Sequence, residues 1–189
     1  MATYLAPPPT PPPEPRLIAT GVHGNCVFND ADDTHPAEVR HLSGRAVIRG
    51  PVGQKGKIHF PLMFLIFPGT VGVSSAGEPG WRLQVDCGQE GGQEDGPYGG
   101  NATAYTTVTR AEVYVGCNCI WTKDLDPEQN GTFQIKMDDL QPIALTSAEG
   151  LKGLEVTLTL KYGQSPMRFC SVGVVGVNLP FVPFSVRPE

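Results

Sequence analysis

Between residues 154 and 162 every second residue is apolar. Leu154, Val156, Leu158, Leu160 and Tyr162 fall on one side of the chain; Glu155, Thr157, Thr159 and Lys161 fall on the other. A period of two is the repeat of a strand with one buried face, and it cannot be carried by a helix, whose faces repeat near 3.6 residues. The alternation recurs. Trp81, Leu83, Val85 and Cys87 oppose Arg82, Gln84 and Asp86, and Phe133, Ile135 and Met137 oppose Gln134 and Lys136. Over residues 111–121 one predicted face collects Ala111, Val113, Val115, Cys117, Cys119 and Trp121. One polar face and one apolar face per strand is the pattern of antiparallel sheets covering a common core.

Glycine and proline reinforce this reading. They supply 23 and 19 residues, 42 of the 189 in the chain, where average usage is about 12 %. Both interrupt helices, which excludes a helical bundle. The apolar fraction of 40 % and the net charge of −5 also exclude a wholly disordered chain. Further strands are expected over residues 17–28, bent at Gly21 and Gly24, and over 45–49. Residues 57–67 and 167–177 are apolar on both faces and are expected to lie between layers or under a contact. Loops are expected at 50–56, 70–80, 88–103 and 124–131, and one or two helical turns within 138–149. About eight strands with almost no helix predict an all-β fold, an antiparallel β-sandwich of jelly-roll or immunoglobulin-like type.

The two ends differ from the middle. Residues 1–15 hold seven prolines and no glycine, lysine or arginine. Pro7, Pro8, Pro9, Pro11, Pro12 and Pro13 favour an extended polyproline arm, a conformation that loses little entropy on docking. The C-terminal tail alternates proline with Phe181, Val182 and Phe184, so it cannot be a central strand. The chain therefore divides into an arm (1–15), a sandwich (16–178) and an extended apolar tail (179–189). Phe60, Phe64 and Phe67 in the run 60–68 carry more apolar bulk than one core should require. With the arm prolines and Phe181, Val182 and Phe184 they are the expected interface residues, since large apolar surfaces mark contacts.

Reactive constellations are scarce. No nucleophile elbow, phosphate-binding loop or dinucleotide fingerprint is present. Asp30, Asp32 and Asp33 could supply three oxygens to calcium from one loop, although Asn and Asp are also common turn formers. Five cysteines, an odd number with no visible secretion signal, are read as reduced thiols. Cys117 and Cys119 are expected in the core with Trp121, and Trp81 likewise. No cofactor is implied. The histidines show no paired metal spacing. No run of about 18 apolar residues would span a membrane. Scattered Lys and Arg at a pI near 5.3 predict no direct nucleic-acid binding.

Three functional readings follow from these features. The first is a non-enzymatic structural subunit of a larger assembly, a virus or phage capsid, decoration or tail protein. Its partners would be copies of itself or other subunits, and its location the virion; outside a particle, the reduced cysteines imply a reducing cytoplasm. The second is a carbohydrate- or protein-binding module assisted by calcium at Asp30, Asp32 and Asp33. The third is a β-sandwich enzyme using His35 or His41 with nearby carboxylates. The arm, the apolar tail and the missing catalytic motif favour the first.

Overall fold

A computed structural model of the protein describes residues 18–29, 33–62, 80–90, 104–138 and 153–177. The proline arm, Asp30 and Asp32, Phe64 and Phe67, the predicted helical turns beyond Asp138, and the tail with Phe181, Val182 and Phe184 lie outside the described residues.

Eleven strands are formed rather than about eight: β1 (Ile18–His23), β2 (Phe28–Asn29), β3 (Glu38–Leu42), β4 (Arg45–Arg49), β5 (Lys55–Leu62), β6 (Gly80–Gln89), β7 (Thr107–Val115), β8 (Asn118–Gln129), β9 (Phe133–Lys136), β10 (Leu154–Lys161) and β11 (Met167–Val177). The additional strands are short, or lie in polar stretches whose alternation is weak. All strand pairs are antiparallel. One sheet has the order β3-β4-β11-β6-β9, with β1 also paired to β11; the other has the order β2-β5-β10-β7-β8. From β4 onward the chain shuttles between layers: β4 lies in the first sheet, β5 in the second, β6 in the first, β7 and β8 in the second, β9 in the first, β10 in the second and β11 in the first.

The inward faces meet in one core. Ile48, Leu83, Val85, Phe169, Val172 and Val174 come from the first sheet; Ile58, Phe60, Val113, Val156, Leu158 and Leu160 come from the second. The alternation predicted for β10 is realised, with Leu154, Val156, Leu158, Leu160 and Tyr162 all buried. Phe60 was expected at an interface. Instead it is 0 % exposed, its ring centroid 5.5 Å from that of Phe169 across the sandwich. Alternation along β5 turns Ile58, Phe60 and Leu62 inward together. Its bulk therefore serves the core of this chain.

The stretch 111–121 departs from its predicted single strand. Gly116 and Cys117 form the turn between β7 and β8. Beyond it, Tyr114 pairs with Cys119 and Val113 with Trp121, leaving Ile120 as an extra residue. One inserted residue reverses the side on which the following side chains point. Trp121 thus reaches the core, while Cys117 and Cys119 are exposed rather than buried as expected. Trp81 packs against the core but is only partly buried. The predicted loop 124–131 is carried within β8 as far as Gln129, and residues 125–128 lie between the Arg110–Asp124 and Val108–Gln129 pairings.

Candidate interaction face

The strand register assembles a polar face on the outside of the five-stranded sheet. With Ile58, Phe60, Leu158 and Val113 turned inward, their neighbours His59, Thr157 and Glu112 turn outward. The pairings Phe28–His59, His59–Thr157, Thr157–Glu112 and Glu112–Thr122 place these residues in one row across all five strands. Lys57, Thr159, Arg110 and Asp124 form the adjacent row, and Pro61, Glu155, Tyr114 and Cys119 the row on the other side.

Within this face His59 is clasped. Its Nδ1 stands 2.9 Å from Glu155 Oε1 and 3.0 Å from Thr157 Oγ1, and the Thr157 hydroxyl donates to Glu155 Oε1 at 3.2 Å. A carboxylate can only accept, so the 2.9 Å contact assigns a proton to Nδ1. Phe28 stacks on the imidazole, with centroids 5.2 Å apart and planes 20° from parallel, yet remains 45 % exposed. Glu112 is buried although it points outward. Its carboxylate is flanked by Lys57 Nζ at 3.4 Å and Arg110 Nη2 at 3.3 Å, two half-exposed cations. Arg110 extends the chain of charges to Asp124 at 3.6 Å. Burial and the Glu112 charge push the Tyr114 phenol above its usual range. His59 Nε2 and Thr159 Oγ1 are buried and have no hydrogen-bond partner among the described residues. Buried polar atoms are ordinarily satisfied. The centre of this face therefore holds buried polar atoms with hydrogen-bonding capacity left over among the described residues.

A second feature lies beside β8 and β9, which end their respective sheet orders. A cleft of about 400 Å³ is lined by Cys119, Ile120, Trp121, Thr122 and Lys123 of β8, Lys136 of β9, and Asp138. Lys136 and Asp138 form an ion pair of 3.4 Å at its rim.

Of the proposed calcium residues, Asp33 is described. Its Oδ1 accepts from the His35 amide at 3.2 Å and its Oδ2 from the Lys57 amide at 2.8 Å. It thereby ties the loop before β3 to the start of β5, the part a turn-forming aspartate plays. Among the described residues no group of three or more His, Cys, Asp or Glu side chains converges. His35 meets Thr34 Oγ1 through Nδ1 at 3.2 Å, and His41 pairs with Ala46 on the β3–β4 hairpin.

The residues that sequence reasoning missed are His59, Glu155, Glu112 and Phe28. Glu155 and Glu112 were read only as members of the face opposite the apolar one, and His59 and Phe28 only as positions within predicted strands. The partners His59 and Glu155 are 96 residues apart, so only the register joins them. No family model, curated protein or solved structure matches this chain.

Proposed function

We propose that the protein is a non-enzymatic structural subunit of a larger assembly, a virus or phage particle protein of the capsid, decoration or tail kind, and that strands β4 to β11 form a jelly roll. The observation that carries this reading is the strand order. Eight consecutive strands yield the sheet paths 4-11-6-9 and 5-10-7-8. The chain thus winds in nested pairs, with β4 beside β11 and β5 beside β10. Two interlocked Greek keys of this kind define the jelly roll, an architecture of viral capsid and lectin domains. Immunoglobulin-like sheets instead place several sequence-adjacent strands side by side. Here, among the described strands, only β3–β4 and β7–β8 are such neighbours. Fold alone does not specify function, so the remaining support comes from the proline arm, the apolar tail and the outer face with its buried polar atoms. The absence of Lys and Arg from residues 1–15 favours an outer or decorating position over genome contact. Among the described residues no helix is long and apolar enough to cross a membrane.

Native mass spectrometry and light scattering of the full chain, with electron microscopy of material from its source, test this reading. Discrete oligomers or particles are the expected result. A monomer that persists at high concentration, together with particle-free source material, overturns it.

A further inference from the structure

The cleft beside β8 is lined by five consecutive residues, Cys119 to Lys123, and by Lys136 and Asp138. Side chains of a strand point alternately to its two faces. Five in succession therefore border one space only where the edge of the strand, with its backbone N–H and carbonyl groups, faces that space. Among the described strands β8 is the last of its sheet order, and its other edge is paired with β7. Unpaired strand edges accept further strands from other chains. The register shows what lies beside the cleft. Val175, Arg82 and Lys136 pair in one row across β11, β6 and β9, which sets Val175 about 10 Å from Lys136, two strand spacings. β11 ends two residues later at Val177. The chain thus leaves β11 close to the cleft.

We propose that residues 182–187, contributed by a second copy of the chain, add to the cleft-facing edge of β8 as a further strand. This contact deepens the assembly reading and rests on it. The pattern of the segment fits the role. Val182, Phe184 and Val186 alternate with Pro183, Ser185 and Arg187, the period of a strand with one buried face. Backbone N–H groups of successive strand residues point to opposite edges. When Val182, Phe184 and Val186 direct theirs to β8, Pro183 falls on the open edge, where no N–H is needed. Pro180 and Pro188 share the parity of the pairing residues and so bound the segment. In this arrangement the apolar set lies beside Trp121, which is 8 % exposed and lines the cleft. Because the chain leaves β11 beside its own cleft, a two-fold axis there lets two copies exchange segments reciprocally, in an isologous contact. Residues 178–180 supply about 10 Å of extended chain for the crossing.

Sedimentation of the full-length chain reads this contact through the dissociation constant. Val186→Pro removes an N–H directed at β8 and should weaken association about tenfold, the scale of one lost hydrogen bond, while Ser185→Pro, of the opposite parity, should stay within about twofold of the parent. Circular dichroism checks that both variants fold. Cys119 is exposed and lines the cleft. A Ser185→Cys chain oxidised with diamide should therefore form a disulfide between Cys119 of one copy and the introduced thiol of the other, seen as a dimer on a non-reducing gel and located by peptide mapping. Association that ignores the parity of the proline, without a Cys119 link between copies, overturns this contact and leaves assembly through other surfaces standing. The same link formed within one chain overturns the exchange between copies. A parent chain that stays monomeric overturns both this contact and the assembly reading.

Discussion

Gly24 and Phe169 touch backbone to backbone. A Cβ at Gly24 would overlap the Phe169 carbonyl and lie 3.1 Å from the amide nitrogen of Cys170. Gly24 opens the 3₁₀ turn Gly24–Cys26, which carries the chain from β1 in one sheet to β2 in the other. It does so against the irregularity in β11 between Phe169 and Ser171. Backbone on both sides cannot yield as a flexible side chain would. Gly24→Ala is therefore expected to destabilise the protein by about 3 kcal/mol or more, the upper range for overpacking. Urea denaturation measures it. A variant within about 0.5 kcal/mol of the parent, the range of ordinary surface substitutions, would show that the crossing is looser than described.

Leu158 tests the sandwich core. It is 0 % exposed and central in β10, paired with Ile58 on one side and Ala111 on the other. Leu158→Ala should cost about 2–5 kcal/mol. Leu158→Asp buries an uncompensated charge and should abolish folding. Near-ultraviolet circular dichroism and solubility report the outcome; a native-like aspartate variant contradicts the inward facing of this strand.

The cysteines should separate by reactivity and report on alkaline stability. Cys26, Cys117 and Cys119 are exposed, while Cys87 is buried and donates to the Gly131 carbonyl at 3.1 Å. Burial above all, helped by Asp86 and Cys170, pushes the Cys87 thiol from 9.0 up to about 12. Because the thiolate is the reactive form, three thiols should be modified quickly in the native protein and Cys87 only on unfolding. The same shift has a linkage consequence. Above pH 9 an unfolded Cys87 releases its proton and the folded one keeps it, so the native state binds more protons and stability falls as pH rises. The loss begins near pH 9 and continues to about pH 12, with Tyr162 adding to it from 10 upward. Melting temperatures across this window should decline, and Cys87→Ala should flatten the decline. A flat profile in the parent protein would contradict the burial of both groups.

Deletion of residues 1–15 separates fold from association. Residues 1–15 hold seven prolines, which cannot donate to a strand ladder. The truncated chain should keep its circular dichroism spectrum and melting temperature while its association weakens, as read by sedimentation. Unfolding of the truncated chain would place the arm in the core and contradict its assignment as a docking segment.

The alternating residues of β6, β9 and β10 were legible from the sequence because burial of one face imposes a local period of two. The bend at Gly24 was legible because glycine permits what other residues forbid. The β7–β8 hairpin was misread, since a two-residue turn and the extra residue Ile120 reverse side-chain direction without disturbing the apolar spacing. Phe60 was misassigned because hydrophobicity alone does not distinguish a core from an interface. The clasp of His59 by Glu155 and the flanking of Glu112 by Lys57 and Arg110 had no local signal at all. By itself, the sequence determined that this chain forms half-buried antiparallel strands, because alternation and turn residues act within a few positions. Which strands pair, and so which polar groups meet, was decided only by the tertiary structure, because register between segments about 100 residues apart is set by the joint packing of both sheets.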